Sequence, residues 1–231
     1  MVVNPDFSYE RSLLPSGVRY LLGIDEVGRG PWAGPVTIGA FLLDLEKFNP
    51  DEFIKLGVRD SKKVTNKNRQ KIFSYFQQNN FTFQVVSASS SKIDERGIAP
   101  TIKGLILYIL DHFRGQFDFC LVDGNYQFNN LSLVKGRNPE FNERRGIKSI
   151  VKADSSCFSV AAASICAKVV RDQKMDQYDQ SYPGYGFGQN KGYGTAAHFS
   201  SLQKLGICPI HRKSYKPIKS LFSPIDFHLP P

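Results

Sequence analysis

Four carboxylates in this chain stand where strands should end, and that placement is the first sign of chemistry. Residues 20–35 read YLLGIDEVGRGPWAGP, so the apolar run Leu21, Leu22, Ile24 leads into Asp25 and Glu26, with Gly28-Arg29-Gly30 just beyond. FDFCLVDG ends in the same way at Asp123, and IKSIVKAD at Asp154. An unpaired carboxylate is costly to bury. If the three strands are neighbours in one sheet, their acids converge on one edge, where open α/β sheets place their sites. Side chains alternate between faces along a strand. Asp25 and Glu26 therefore share a site only where the strand ends or where the longer Glu26 reaches around, and the glycines at 28 and 30 allow that turn. Taken singly, Asp154 fits a helix cap and Glu26 a surface residue. Asp25 and Asp123, each behind an apolar run, fit those roles less well. Oxygen-only ligands point to Mg2+ or Mn2+ rather than zinc, with a phosphate substrate completing the site.

Other chemistries fit poorly. GRGPWAG follows a strand but has GxGxxxG spacing, not GxGxxG. Two carboxylates would repel a pyrophosphate there, and the following PVTIGAFLL is not a convincing helix. The chain holds no GxSxG elbow, P-loop or HExxH. His198 and His211 read as structural or substrate-side residues, not members of a hydrolytic triad.

The elements that must position these acids can be read from periodicity. YLLGID and GPVTIGAFLL are strands, FTFQVVSAS alternates like a third, and FDFCLVDG is a buried fourth. Thr65 caps a helix, NKNRQKIFSYFQQ, with Ile72, Phe73 and Phe76 on one face. TIKGLILYILDHF is a second helix with Thr101 as a possible cap, and SVAAASICAKVVRDQKM a third whose small residues permit close packing. IKSIVKAD is a short strand ending at Asp154. YPGYGFGQNKGYGT is a glycine–aromatic loop, and SPIDFHLPP a frayed end. Strands alternating with helices predict an α/β layer with an antiparallel start, plus a helical extension.

The 231 residues suit one large domain with a core that needs no disulfide or structural metal. The four cysteines are widely spaced without a CxxC pair, as buried free thiols would be. No signal peptide and no membrane-length apolar run is evident, so a cytoplasmic protein is expected. The net charge of +9 suits a polyanionic partner, and basic residues gather in RDSKKVTNKNRQK, NERRGIK and HRKSYKPIK.

With those residues in view, GIDEVGRGPWAGPV, DSKK, LVDG, KADSSCFSVAAASICAKVVRD, YPGYGFGQNKGYGTAAH and CPIHRKSY together resemble type 2 ribonuclease H, the ribonuclease HII family. The resemblance runs from about residue 20 to 217. It implies a ribonuclease H-like α/β fold: a mixed five-stranded sheet flanked by helices, with a C-terminal helical segment. It also implies cleavage, dependent on Mn2+ or Mg2+, of RNA in RNA–DNA hybrids and of single ribonucleotides in duplex DNA. The family's four catalytic, metal-holding acids fall on Asp25, Glu26, Asp123 and Asp154. Its ribonucleotide-reading element falls on Gly28, Arg29 and Gly30, its junction-sensing tyrosine on Tyr193, and a phosphate-contacting stretch on Lys62 and Lys63. Val27, Ala153 and Ser156 depart from the residues usual there, which bears on rate and preference. The expected organisation is an N-terminal extension (1–18), a catalytic domain (19–180) and a substrate-contacting loop, helix and tail (181–231). A monomer is expected. The alternatives are another nuclease of this broad fold and a non-catalytic hybrid-binding module.

Overall fold

The apolar stretches around the acids build one sheet. In the computed structural model, which describes residues 7–128 and 146–222, the strands are β1 (Tyr20–Val27), β2 (Val36–Asp44), β3 (Thr82–Ala88), β4 (Phe119–Asp123) and β5 (Gly146–Ile150). Their order is β3-β2-β1-β4-β5. The β1–β2 and β2–β3 pairs are antiparallel, and β1–β4 and β4–β5 parallel, which gives the mixed sheet and antiparallel start expected from sequence. β1 is the central strand and is covered on both faces, so it is apolar almost throughout until Asp25.

The two faces sort the β1 side chains. Leu22 and Ile24 pack with Ile102, Ile106 and Ile109 of the helix α5 (Ile98–His112). Leu21 joins Phe41, Phe53, Phe76 and the first turns of the long helix α6 (Phe158–Ser181). That helix lies directly on the backbone of the sheet. A Cβ at Gly23 would come within 2.2 Å of the Ser159 carbonyl carbon, and one at Gly39 within 2.2 Å of the Ala163 carbonyl oxygen. The small residues of α6 serve that close approach. The capping of α3 (Asn66–Gln78) by Thr65 is as expected: Thr65 Oγ1 accepts from the Asn68 amide at 3.4 Å.

Three expectations are corrected. β5 ends at Ile150, and Asp154 lies beyond it in a 3-10 turn, Ala153–Ser155. Thr101 is not a cap: α5 begins at Ile98 with Gly97 as its flanking residue, and Thr101 Oγ1 donates to the Gly97 carbonyl at 2.7 Å. The glycine–aromatic loop contains a helical turn at Phe187–Asn190. Most of NERRGIK and all of SPIDFHLPP lie outside the described residues.

The start of α6 has a cap supplied from afar. Glu10, in the short helix α1 (Ser8–Ser12), is fully buried and accepts from the Phe158 and Ser159 amides at 2.8 and 3.1 Å and from the Ser159 hydroxyl. Near the other end of α6, Met175 joins Ala33, Tyr185, Phe187, Leu202 and Ile210 in a separate small core. Among the described residues no helix is long and apolar enough to cross a membrane.

Candidate active site

Strand register brings the acids together. Ile24 pairs with Val122 across the parallel β1–β4 ladder, so Asp25 and Asp123 follow side by side on the face that α6 covers. Asp25 is buried; its Oδ1 accepts the Glu26 amide at 2.8 Å, and Ser164 of α6, whose hydroxyl donates to Ser61 at 2.8 Å, lies close enough to favour its charged form. Asp123 is oriented by the Ala153 amide, 2.7 Å from its Oδ1. Glu26 starts from the opposite face of β1 and reaches the site at the strand end, where Tyr126 donates to its Oε2 at 3.2 Å and Arg29 Nη1 lies 3.7 Å from Oε1. One oxygen each of Asp25, Glu26 and Asp123 lie within 4.8 Å of one another.

Asp154 is beside this trio but not part of it in the same sense. It is buried, and its Oδ2 lies 3.4 Å from Lys62 Nζ. Its charge is felt by both Asp25 and Asp123. Burial first, and neighbouring carboxylates second, push the Asp25 carboxyl well above the ordinary value and raise Asp123 and Glu26 as well. Three carboxyls so raised are an unstable arrangement for anions alone and a good one for divalent cations. The donor set is oxygen only and is tied down by the Glu26 and Ala153 amides and the Tyr126 hydroxyl, as a site for Mg2+ or Mn2+ requires.

The acids open into a cavity of about 440 Å3, lined also by Gly28, Arg29, Gly30, Ser61, Lys62, Arg69, Ser164, Lys168 and Tyr193. Thus the structure gathers Asp25, Glu26, Asp123, Gly28, Arg29, Gly30, Lys62 and Tyr193 around one space. Lys63 does not line it, and its Nζ lies 3.8 Å from Asp60 instead. The two glycines differ in kind. Gly28 has φ +95°, and a Cβ there would meet Arg171 Nε at 2.3 Å, so the backbone itself demands glycine. A Cβ at Gly30 would meet nothing nearer than Tyr193 Cε1, at 3.9 Å, so its openness faces the cavity.

Sequence reasoning missed Tyr126, Ser164, Arg69 and Lys168. The last two meet on Asp172, with Lys168 Nζ 2.7 Å and Arg69 Nη2 3.5 Å from its carboxylate. Lys168 and Asp172 at i, i+4 spacing on the helix after Asp154 were a usable signal. Tyr126 carried none. The histidines fall where the sequence reading put them: His198 and His211 are buried away from the acids.

The comparisons with known proteins agree with this geometry. A family model described as Ribonuclease HII matches residues 22–218. The chain is 38% identical over 214 residues to Ribonuclease HII of Listeria monocytogenes serotype 4a, covering 91% of this chain and 73% of the relative. It is 39% identical over 210 residues to Ribonuclease HII of Mycoplasma capricolum, covering 90% and 92%. The crystal structure of the ribonuclease H2 from Pyrococcus horikoshii OT3 superposes with a TM-score of 0.69 at 26% identity, over 87% of this chain and 96% of that one.

Proposed function

The chain belongs to the ribonuclease HII family and is a metal-dependent ribonuclease H, and from that premise we propose what its cavity reads and cuts. The substrate is the RNA strand of an RNA–DNA hybrid, or a single ribonucleotide within duplex DNA. Cleavage is on the 5′ side of the ribonucleotide and leaves 3′-hydroxyl and 5′-phosphate ends. One observation carries this reading: the cluster of Asp25, Glu26 and Asp123 shares a cavity with Gly28-Arg29-Gly30 and Tyr193.

Asp25, Glu26, Asp123 and Asp154 would hold the divalent cations. When bound, these activate water and stabilise the departing 3′-oxygen. The chain's own residues do the rest. The Glu26 and Ala153 amides orient Asp25 and Asp123, and Tyr126 orients Glu26. The turn at Gly28 leads into the exposed Arg29 and Gly30, whose backbone can meet a 2′-hydroxyl, a group that is both donor and acceptor. Gly30 leaves room for the sugar, and Tyr193, with 45% of its surface exposed, offers a flat face to the next one. Lys62, with an exposed side chain beside Asp154, is placed to meet a phosphate. The loop and helix after residue 180, which carry Tyr193, are a further substrate-contacting part of the chain. All four cysteines are buried free thiols, which suits a monomer working in the reducing cytoplasm.

The test is a duplex with one embedded ribonucleotide, end-labelled on either strand. With Mg2+ or Mn2+ a single cut 5′ to the ribonucleotide is expected, and the same duplex made wholly of DNA should survive. Equal cutting of both duplexes would overturn the ribose reading.

A further inference from the structure

Two buried histidines join the loop that bears Tyr193 to the loop behind the Gly28-Arg29-Gly30 turn. His198 is on the helix α8 (Ala196–Leu205), and His211 follows in the C-terminal core. Their exposures are 0% and 1%. His198 Nδ1 lies 2.9 Å from the Tyr193 carbonyl oxygen, and His198 Nε2 lies 3.0 Å from His211 Nε2. His211 Nδ1 is 2.9 Å from the Cys208 amide nitrogen and 3.2 Å from Cys208 Sγ.

The two ends of this chain demand the same proton order. His211 Nδ1 also lies 3.3 Å from the Cys208 carbonyl, but that oxygen already accepts the His211 amide at 3.0 Å; the nearer Cys208 amide can only donate, so Nδ1 is an acceptor and the His211 proton is on Nε2. His198 Nε2 must then accept, which leaves the His198 proton on Nδ1, facing a carbonyl that can only accept. Every bond in the row is satisfied with both rings neutral. Burial keeps them so, since it lowers both imidazoles and takes His211 to about 4. The rings of Trp32, Tyr185 and Phe187 pack around the pair. The titratable neighbours among these contacts, Tyr185 and Cys208, are themselves raised by burial and hence uncharged.

The row also reaches the other half of the ribose site. Arg212, next in sequence to His211, is fully buried and donates to the carbonyls of Gly28 at 2.6 Å, Arg29 at 3.0 Å and Gly34 at 3.0 Å. Tyr193 has local bonds as well: its amide donates to the Asn190 carbonyl at 2.9 Å, and its carbonyl also accepts from the Thr195 amide at 2.8 Å. The preceding residue ties the same loop across, since the Gly192 carbonyl accepts from the Trp32 and Ala33 amides at 2.8 and 3.2 Å, so the histidine row acts on the Tyr193 peptide itself. We propose that His198 and His211 are positioning residues for the known reaction, an ordered hydrogen-bond row that holds Tyr193 in register with Gly28-Arg29-Gly30. This rests on the reading of Tyr193 as a sugar-facing residue.

Two substitutions of equal polarity separate this role from a merely structural one. In His198→Asn the side-chain amide can take the place of Nδ1–H and keep the bond to Tyr193, leaving His211 unpaired. In His198→Gln the amide can take the place of Nε2 and keep His211 paired, but the Tyr193 carbonyl loses its side-chain donor and keeps only the Thr195 amide. Each loses one buried bond, so melting temperatures should fall by similar amounts. Cleavage of the single-ribonucleotide duplex should not fall alike: kcat of His198→Gln should lie at least about tenfold below that of His198→Asn, because small displacements from in-line geometry are costly in rate. In a Tyr193→Ala background the Asn and Gln variants should cut at the same rate. Equal kcat for the two variants with Tyr193 present, or the same gap with Tyr193 removed, overturns the proposal. If Tyr193→Ala alone cuts as the parent does, the sugar reading falls and this proposal with it. If Tyr193→Ala is impaired but the two variants match, only this proposal falls.

Discussion

At the scale of single residues, the site is a set of carboxylates held at a distance they would not choose without cations. Charges 4.8 Å apart repel by about 3 kcal/mol at an effective dielectric near 20, before protonation relieves it. Burial and that repulsion raise Asp25, Asp123 and Glu26 above their ordinary values. The metal-free folded protein therefore keeps protons that the unfolded chain releases. The stability these groups contribute is complete below the ordinary carboxylate pKa and is lost as pH rises through the higher folded values. In EDTA, Asp25→Asn should melt at or above the parent temperature at pH 7, and with a shallower dependence on pH. Added Mg2+ should raise the melting temperature of the parent more than that of the variant. Cleavage should be abolished. A large drop in melting temperature for Asp25→Asn in EDTA would show a structural role instead.

At the scale of elements, loops near the site are tied by guanidinium groups that have no carboxylate partner among the described residues. Arg171, on α6, donates to the carbonyls of Pro35 at 2.9 Å and Lys191 at 3.0 Å, and burial together with Arg212 lowers it to about 10. Arg212 holds Gly28, Arg29 and Gly34, and also donates to Tyr215, whose hydroxyl in turn donates to the Arg29 carbonyl. A planar fork of fixed donors can meet several carbonyls at once, whereas an ammonium is a single point. Arg212→Lys keeps the charge but orphans buried acceptors, each worth roughly 1–3 kcal/mol. The expected result is a loss of about 2–4 kcal/mol, which for a domain of this size lowers the melting temperature by roughly 5–15 °C. Cleavage at the single ribonucleotide should fall as well, with the metal requirement unchanged. Parent-like melting and cleavage together would show that the fork is dispensable.

For the whole molecule, charge decides how duplex is met and the site decides what is cut. The net charge of +9 attracts a polyanion without reading it. Duplex binding should therefore weaken steeply with salt as phosphate contacts release counterions. Lys62→Ala, measured by titration in the Asp25→Asn background so that nothing is cleaved, should weaken binding to all-DNA and ribonucleotide-containing duplexes alike. It should also reduce the log–log salt slope by about 0.9. A change confined to the ribonucleotide-containing duplex would mean that Lys62 reads the sugar and not a phosphate.

Most of the strands, the acids Asp25 and Asp123 and the Thr65 cap were legible because they are local. Continuous apolar runs placed YLLGID and FDFCLVDG, Thr65 marked the start of a helix, and Asp25 and Asp123 stood out as charges behind those runs. Hydrophobic period and capping chemistry act over a few residues, so a linear reading captures them. The motif resemblance added which acids belong together, but not how they are held. Asp154 shows the boundary: the expected strand stops at Ile150, and the acid reaches the site from a 3-10 turn beside Lys62. Glu10, Arg171, Arg212, His198 and His211 show it more fully. In sequence each is an ordinary polar residue. Only when chain segments as much as 184 residues apart converge does Arg212 find the Gly28 carbonyl. Whether such a group is buried, and which donors and acceptors surround it, is set by packing between distant segments, and no local pattern encodes that. The sequence by itself thus determined the elements and the chemistry of the acids, while the tertiary structure alone decided what holds the reading loops in place.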